Sequence, residues 1–277
     1  MWRLTSQLLP VFVAADQYRV YVPSKEVPFF VSITNPAIQV LPQESLGKNF
    51  SHRLRAAVVS RNNAERYGWY LQQFLKIEAL ATVQADLMVV WDADCVPLRT
   101  LTLFDDRNAP IYMRAEEHHE PYFSMISRLL GLSRVQNQSF IVPGFPILKN
   151  WVEDFIQEVE SRHSGSTWSD AIILCTDLSL RSGFSETETL GTWIANSYPG
   201  QWKSSEVTWE RRGQNRFGYA RGLTAEEVVN IGMSENLAVV TFENWGLPGK
   251  VGQWSFLRAF VLLVHSKILR GRRRNAR

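Results

Sequence analysis

Cysteine is scarce in this chain, which contains only Cys95 and Cys175 among its 277 residues. Two cysteines so far apart form neither a disulfide scaffold nor a CxxC zinc motif. The sequence therefore predicts a protein of a reducing compartment, and we expect a cytoplasmic location.

Long apolar runs are also missing. The longest run near the end is AFVLLV at 259–264, far below the roughly 20 apolar residues of a membrane-spanning helix. The first residues, MWRLTSQLLPVFVAAD, resemble a secretion signal only weakly, because Gln7 and Pro10 interrupt the apolar stretch. Neither a membrane span nor secretion is predicted.

The excess of charge of one sign is small, with 30 Lys and Arg against 27 Asp and Glu. That excess lies in SKILRGRRRNAR at 266–277, which has six basic residues and no acid. The rest of the chain is about neutral, so nucleic-acid binding is not expected. The basic end predicts either a disordered tail or peripheral contact with an anionic membrane surface.

What the sequence does contain is typical of a folded globular protein, with 45% hydrophobic and 21% charged residues. Short apolar runs alternate with segments of helical spacing, which indicates an α/β fold whose sheet is mixed but mostly parallel and is flanked by helices. The predicted strands are 18–22, 37–41, 86–91 and 109–113. The predicted helices are 64–83, 151–161, 168–180 and 222–232, the last with a capping box from Thr224 to Glu227.

The helix predicted over 64–83 has two stripes at helical spacing. The apolar stripe predicts the buried face and consists of Tyr67, Tyr70, Leu71, Phe74 and Ile77. The other stripe is mostly polar and consists of Trp69, Gln72, Gln73 and Lys76. This second stripe is either a solvated surface or part of a site, since the helix directly precedes the most unusual strand of the chain.

That strand, DLMVVWDADCVPL at 86–98, ends in Asp92 and Asp94. Side chains alternate along a strand, so we expect both carboxylates on one face, where they would repel each other. A divalent cation would remove this repulsion, and carboxylate oxygens suit Mn²⁺ or Mg²⁺. The alternative is that the aspartates cap the turn before Pro97 and bind nothing.

Two classes of enzyme have this pattern. In haloacid-dehalogenase-like phosphatases a strand ends in DxD, and Asp92 would then be the nucleophile. Against this class, two strands and a helix precede the motif, and no later acidic pair completes a metal site. The second class is the nucleotide-sugar glycosyltransferases of the GT-A fold, whose DxD lies near the middle of the domain.

Six ordered blocks resemble an uncharacterised bacterial glycosyltransferase-like family with a GT-A domain. The blocks are GWYLQQFLKI at 68–77, VVWDADCVPL at 89–98, HHEPYF at 118–123, SFIVPGF at 139–145, FSETETLGTW at 184–193 and FENW at 242–245. The resemblance implies a GT-A-like domain over 1–255, followed by an apolar and then basic tail over 256–277. The chain starts with a helix, so the first strand of that fold is expected to be missing, and a non-catalytic sugar-binding relative stays an alternative.

The resemblance also implies a metal-dependent transfer of a sugar from a nucleotide-diphosphate donor to a glycan or lipid-linked acceptor. Asp94 would bind the cation, and Asp92 would bind the ribose or a metal-bound water. His119 is a candidate third ligand, and Gln73 and Lys76 would contact the donor. Glu186 would be the acceptor base, whereas Glu188 would complete a capping box with Ser185.

Overall fold

The computed structural model describes residues 1–217, 222–242 and 259–265, and these ranges form a layered α/β structure. The strands are β1 Gln17–Val22, β2 Ile38–Pro42, β3 Leu87–Asp92, β4 Cys95–Pro97, β5 Ile111–Met113, β6 Phe145–Leu148, β7 Lys203–Ser205, β8 Trp209–Glu210, β9 Val239–Thr241 and β10 Phe260–His265. The helices are α1 Trp2–Phe12, α2 Val27–Ile33, α3 Ser51–Ser60, α4 Tyr67–Thr82, α5 Glu120–Leu130, α6 Lys149–Arg162, α7 Trp168–Cys175, α8 Glu186–Ser197, α9 Gly213–Phe217 and α10 Ala225–Ser234.

The main sheet has the strand order β2-β1-β10-β3-β6. Among the described strands of this sheet, only β1 and β2 pair in parallel, while β10 is antiparallel to both β1 and β3, and β6 is antiparallel to β3. The prediction of an α/β fold with a mixed sheet flanked by helices is confirmed, but the prediction that this sheet is mostly parallel is wrong. Three of the four strands predicted from short apolar runs, β1, β2 and β3, do run in one direction, with antiparallel β10 between β1 and β3. The fourth is shorter than predicted and is β5, which pairs with β7 in a separate sheet.

Strand β10 also corrects the predicted tail. The proposed boundary between 255 and 256 lies outside the described residues, but residues 260–264 are buried at the centre of the sheet. An apolar run of six residues is too short for a membrane and has the length of a strand buried on both faces. The basic segment at 266–277 lies outside the described residues. None of the described helices has the length and apolar character needed to span a membrane.

The two faces of the sheet are covered by different helices. On one face, Met88 and Val90 of β3 belong to a core built with α3 to α8. On the other face, Val89 and Trp91 pack in a second core with residues of α1 and α2. This alternation places Asp92, two residues after Val90, on the face covered by α4.

Most predicted helices are observed close to their predicted bounds. The apolar stripe of α4 is buried as expected, except that Tyr67 is only partly buried. The capping box of Thr224 and Glu227 is present at the start of α10. The helix predicted over 168–180 is shorter than expected, because α7 ends at Cys175 and Thr176 has an extended backbone.

Candidate functional site

Asp92 and Asp94 lie at the turn that follows β3, and hydrogen bonds from Thr5 and Trp91 hold this turn. Its backbone oxygen at Ala93 accepts a hydrogen bond from Thr5 Oγ1 of α1 at 2.9 Å. Trp91 Nε1 donates to the carbonyl of Cys95 at 2.8 Å across the turn. Because β3 ends at Asp92 and a turn follows, the strand alternation used to place both aspartates on one face does not extend to Asp94.

Lys76 of α4 connects Asp92 to the protein interior. Its Nζ lies 2.5 Å from Asp92 Oδ1 and 2.7 Å from Glu186 Oε1. The side chains of Lys76 and Glu186 are 4% and 3% exposed, whereas that of Asp92 is 43% exposed. Burial alone would lower the pKa of Lys76, but the two carboxylates outweigh it and raise that pKa. Lys76 is therefore a buried cation shared by two carboxylates, of which only Asp92 reaches solvent.

Asp94 is half-buried beside this ion pair. Burial, and then the negative charge of Asp92, raise the pKa of Asp94 to about 6, although Lys76 acts in the opposite direction. The backbone oxygen of Asp94 accepts a hydrogen bond from the amide of Phe242 at 3.2 Å. The repulsion that the sequence predicted between the two aspartates is thus present, with Lys76 compensating part of it.

Glu186 is the first residue of α8, and the start of this helix lies beside Lys76. Ser185 is the N-cap and its side chain accepts a hydrogen bond from the amide of Glu188 at 3.3 Å. The amide of Glu186 donates to Gln73 Oε1 at 3.3 Å, so the polar stripe of α4 also orients this helix end. Gln73 and Lys76 are buried, and the interpretation of that stripe as a solvated surface is wrong for these two residues.

Glu188 has a different role from the one predicted for it. Its Oε2 accepts hydrogen bonds from Ser139 Oγ at 2.6 Å and from the amide of Phe140 at 3.1 Å. The carboxylate therefore binds the segment before β6, and only the Ser185 half of the predicted capping box forms. Burial raises the pKa of Glu188, while its bond with Ser139 lowers it.

The loop between α7 and α8 is fixed by α4 and the turn before it. Asn63 Nδ2 donates to the carbonyls of Leu178 and Leu180 at 2.8 and 2.7 Å. The hydroxyl of Tyr70 donates to Leu180 at 2.8 Å and accepts from the amide of Gly183 at 3.0 Å. These anchoring roles could not be predicted from the sequence, because an isolated Asn and a Tyr on a predicted core face carry no local signal for distant backbone partners.

The histidine prediction is not supported by the geometry. His119 precedes α5, and its Nε2 lies 2.8 Å from the carbonyl oxygen of Ser182 and 3.1 Å from its hydroxyl. Within residues 1–217, 222–242 and 259–265, no three His, Cys, Asp or Glu side chains form a group able to hold a metal ion. The structure therefore does not assemble Asp92, Asp94 and His119 as a three-ligand set.

A family model matches residues 8–190, which is more than half of the chain. The chain belongs to DUF6492. This family is described as one of unknown function, and no curated protein matches the chain. The DUF6492 match contains every residue of the cluster described above, from Gln73 and Lys76 through Asp92 and Asp94 to Glu186.

The DUF6492 chain thus brings together four of the predicted site residues, Gln73, Lys76, Asp92 and Glu186, with Asp94 next to them. We call this set the carboxylate cluster. A surface depression of about 420 Å³ lies elsewhere, on the outer sides of α4 and α6, and its lining contains no cluster residue. The carboxylate cluster is therefore the stronger candidate for chemistry.

Proposed function

We propose that this chain is a metal-dependent glycosyltransferase with a GT-A-like fold, which transfers a sugar from a nucleotide-diphosphate donor to a glycan or lipid-linked acceptor. The observation that carries the proposal is the half-exposed carboxylate of Asp92 at the end of β3, beside Asp94 with its raised pKa. Two neighbouring acids of this kind favour a ligand that brings positive charge.

The residues present fit Mn²⁺ or Mg²⁺. Such ions are commonly bound by one or two carboxylates together with substrate phosphates and water, so a third protein ligand is not required. Asp92 and Asp94 would hold the ion, which when bound stabilises negative charge on a leaving diphosphate. Lys76 holds one oxygen of Asp92, and the exposed remainder of that side chain is available to a ligand.

The test is calorimetric titration with UDP, GDP and ADP, each with and without Mn²⁺. We expect Mn²⁺ to promote binding of at least one nucleotide and Asp94→Asn to abolish this promotion. Asp86→Asn is the matched control, because Asp86 immediately precedes the same strand at its other end. Nucleotide binding that is indifferent to Mn²⁺, or an unchanged Mn²⁺ effect in Asp94→Asn, would contradict the proposal.

Trapping with beryllofluoride distinguishes the proposed transferase from the phosphatase alternative. An aspartyl nucleophile at Asp92 would form a beryllofluoride adduct, which native mass spectrometry would detect as added mass. The Asp92→Asn variant would not form this adduct. We expect no such adduct. Turnover of a nucleotide-sugar then distinguishes a transferase from a binding protein. A cytoplasmic location and contact with an anionic membrane through the basic tail belong to this proposal.

A further inference from the structure

The carboxylate of Glu186 is committed to Lys76 instead of being open to a ligand. Its Oε1 accepts a 2.7 Å hydrogen bond from Lys76 Nζ, and its side chain is only 3% exposed. A general base must lie within hydrogen-bond reach of the proton that it removes from the bound substrate. The geometry gives Glu186 a partner in the core, and the role of acceptor base predicted from the sequence has no support here.

Lys76 is equally committed, which changes its expected role at the site. Its ammonium group lies between Asp92 and Glu186 and is almost completely buried. The positive charge is therefore directed to the two carboxylates, and a ligand phosphate would meet Asp92 before it met Lys76. The three residues form a chain from the buried start of α8 to the exposed end of β3.

We infer that Glu186 is a positioning residue, which acts through Lys76 to orient the Asp92 carboxylate for a divalent cation. The inference rests on the proposed function, since it assigns a role within the same site. The backbone at Glu186 is held by the Ser185 cap of α8 and by the bond from its amide to Gln73, so one partner of Lys76 Nζ lies on an anchored helix end. Because Lys76 binds one carboxylate oxygen of Asp92, the second oxygen can point in fewer directions. Groups that contact a metal ligand directly, as Lys76 contacts Asp92, contribute about 10- to 100-fold to metal affinity in other proteins, and Glu186 acts through such a group.

The experiment measures Mn²⁺ binding by electron paramagnetic resonance, once without nucleotide and once with UDP, GDP or ADP present, and it needs no assay of activity. Glu186→Gln removes the charge that fixes Lys76, and we expect about tenfold weaker Mn²⁺ binding or a larger loss. Glu188→Gln is the matched control: it removes an equally buried carboxylate from the same helix turn, but one that bonds Ser139 and Phe140. We expect that control to stay within about twofold of the wild type.

A double-mutant cycle shows whether Glu186 acts through Asp92. In an Asp92→Asn background, Glu186→Gln should weaken Mn²⁺ binding no further, because the carboxylate that it positions is gone. An equal loss in both backgrounds, no loss in the single variant, or an equal loss in Glu188→Gln would overturn the inference. Glu186→Asp, which keeps the charge, should retain intermediate affinity and provides a folded comparison if Glu186→Gln unfolds.

The outcomes also separate this inference from the proposed function. Wild-type protein that binds no Mn²⁺, alone or with UDP, GDP or ADP, would overturn the proposed function and the inference with it. Wild-type protein that binds Mn²⁺ with an affinity unchanged by Glu186→Gln would overturn only the positioning role.

Discussion

Lys76 of α4 and Glu186 of α8 form a buried ion pair with a 2.7 Å distance between Nζ and Oε1, although 110 residues separate them along the chain. Asp92 of β3 shares the same ammonium group. Two helices and the central part of the sheet are thus joined at one buried charge, and this arrangement has measurable consequences for stability as well as for the proposed chemistry.

Replacing Lys76 should strongly destabilise the fold. Lys76→Met leaves Glu186 buried without its cation, and breaking a buried pair in this way typically costs about 3–5 kcal/mol. Urea unfolding at neutral pH measures the loss. Lys25→Met, at an exposed lysine, should change the free energy of unfolding by less than about 0.5 kcal/mol. Comparable stability of the two variants would show that the buried pair contributes nothing.

Asp94 should make stability depend on pH. Its folded-state pKa of about 6 lies above its ordinary value of 3.8, so the folded protein binds this proton more tightly than the unfolded chain does. The free energy of unfolding should therefore fall as pH rises between about 4 and 6, by on the order of 2 kcal/mol from this residue.

Asp94→Asn should remove that contribution, so the variant gains stability relative to wild type as pH rises through this range. Chemical denaturation from pH 4 to pH 7 with a chelator present measures the difference. A constant difference between the two proteins across this range would contradict the raised pKa.

Gly144→Ala should destabilise the protein through Trp91, which lies beneath the turn that carries the aspartates. An added Cβ would lie 2.5 Å from Trp91 Cζ3, and the residue has a φ of +76°. Gly165 has a similar φ of +85° but nothing within 4 Å, so Gly165→Ala isolates the backbone cost of roughly 1–2 kcal/mol.

The clash should add about 1–3 kcal/mol to that cost in Gly144→Ala. Thermal unfolding of both variants, with tryptophan fluorescence as a second signal, gives the difference. Equal losses of stability would mean that Trp91 moves aside freely.

Asn63→Ala should loosen the loop that precedes α8. The change removes two hydrogen bonds to the carbonyls of Leu178 and Leu180, and we expect a loss of about 1–3 kcal/mol. Amide hydrogen exchange should rise in the loop at 176–185 more than elsewhere. Asn35→Ala, at a partly buried position whose side chain accepts one local bond from the amide of Ala37, is the control and should leave this loop protected.

Local patterns predicted much of this fold and part of its site. Short apolar runs identified β1, β2 and β3, and helical spacing identified α4 with its buried face. Both signals depend only on residues that are close together in the sequence. The unusual DxD at the end of a buried strand, and the polar stripe of Gln73 and Lys76, also pointed to residues that the structure brings together. These signals need no knowledge of which elements meet.

Tertiary structure alone decided the relations among distant segments. The run at 259–264 has the composition of a buried strand, but only pairing with β1 and β3 shows that it lies between them and runs antiparallel to both. The assignment of Glu186 to Lys76, and of Glu188 to Ser139, likewise depends on how α8 packs. Such contacts join residues far apart in sequence, where periodicity carries no information, and the low exposure that makes an unpaired charge costly arises only once the helices close over the sheet.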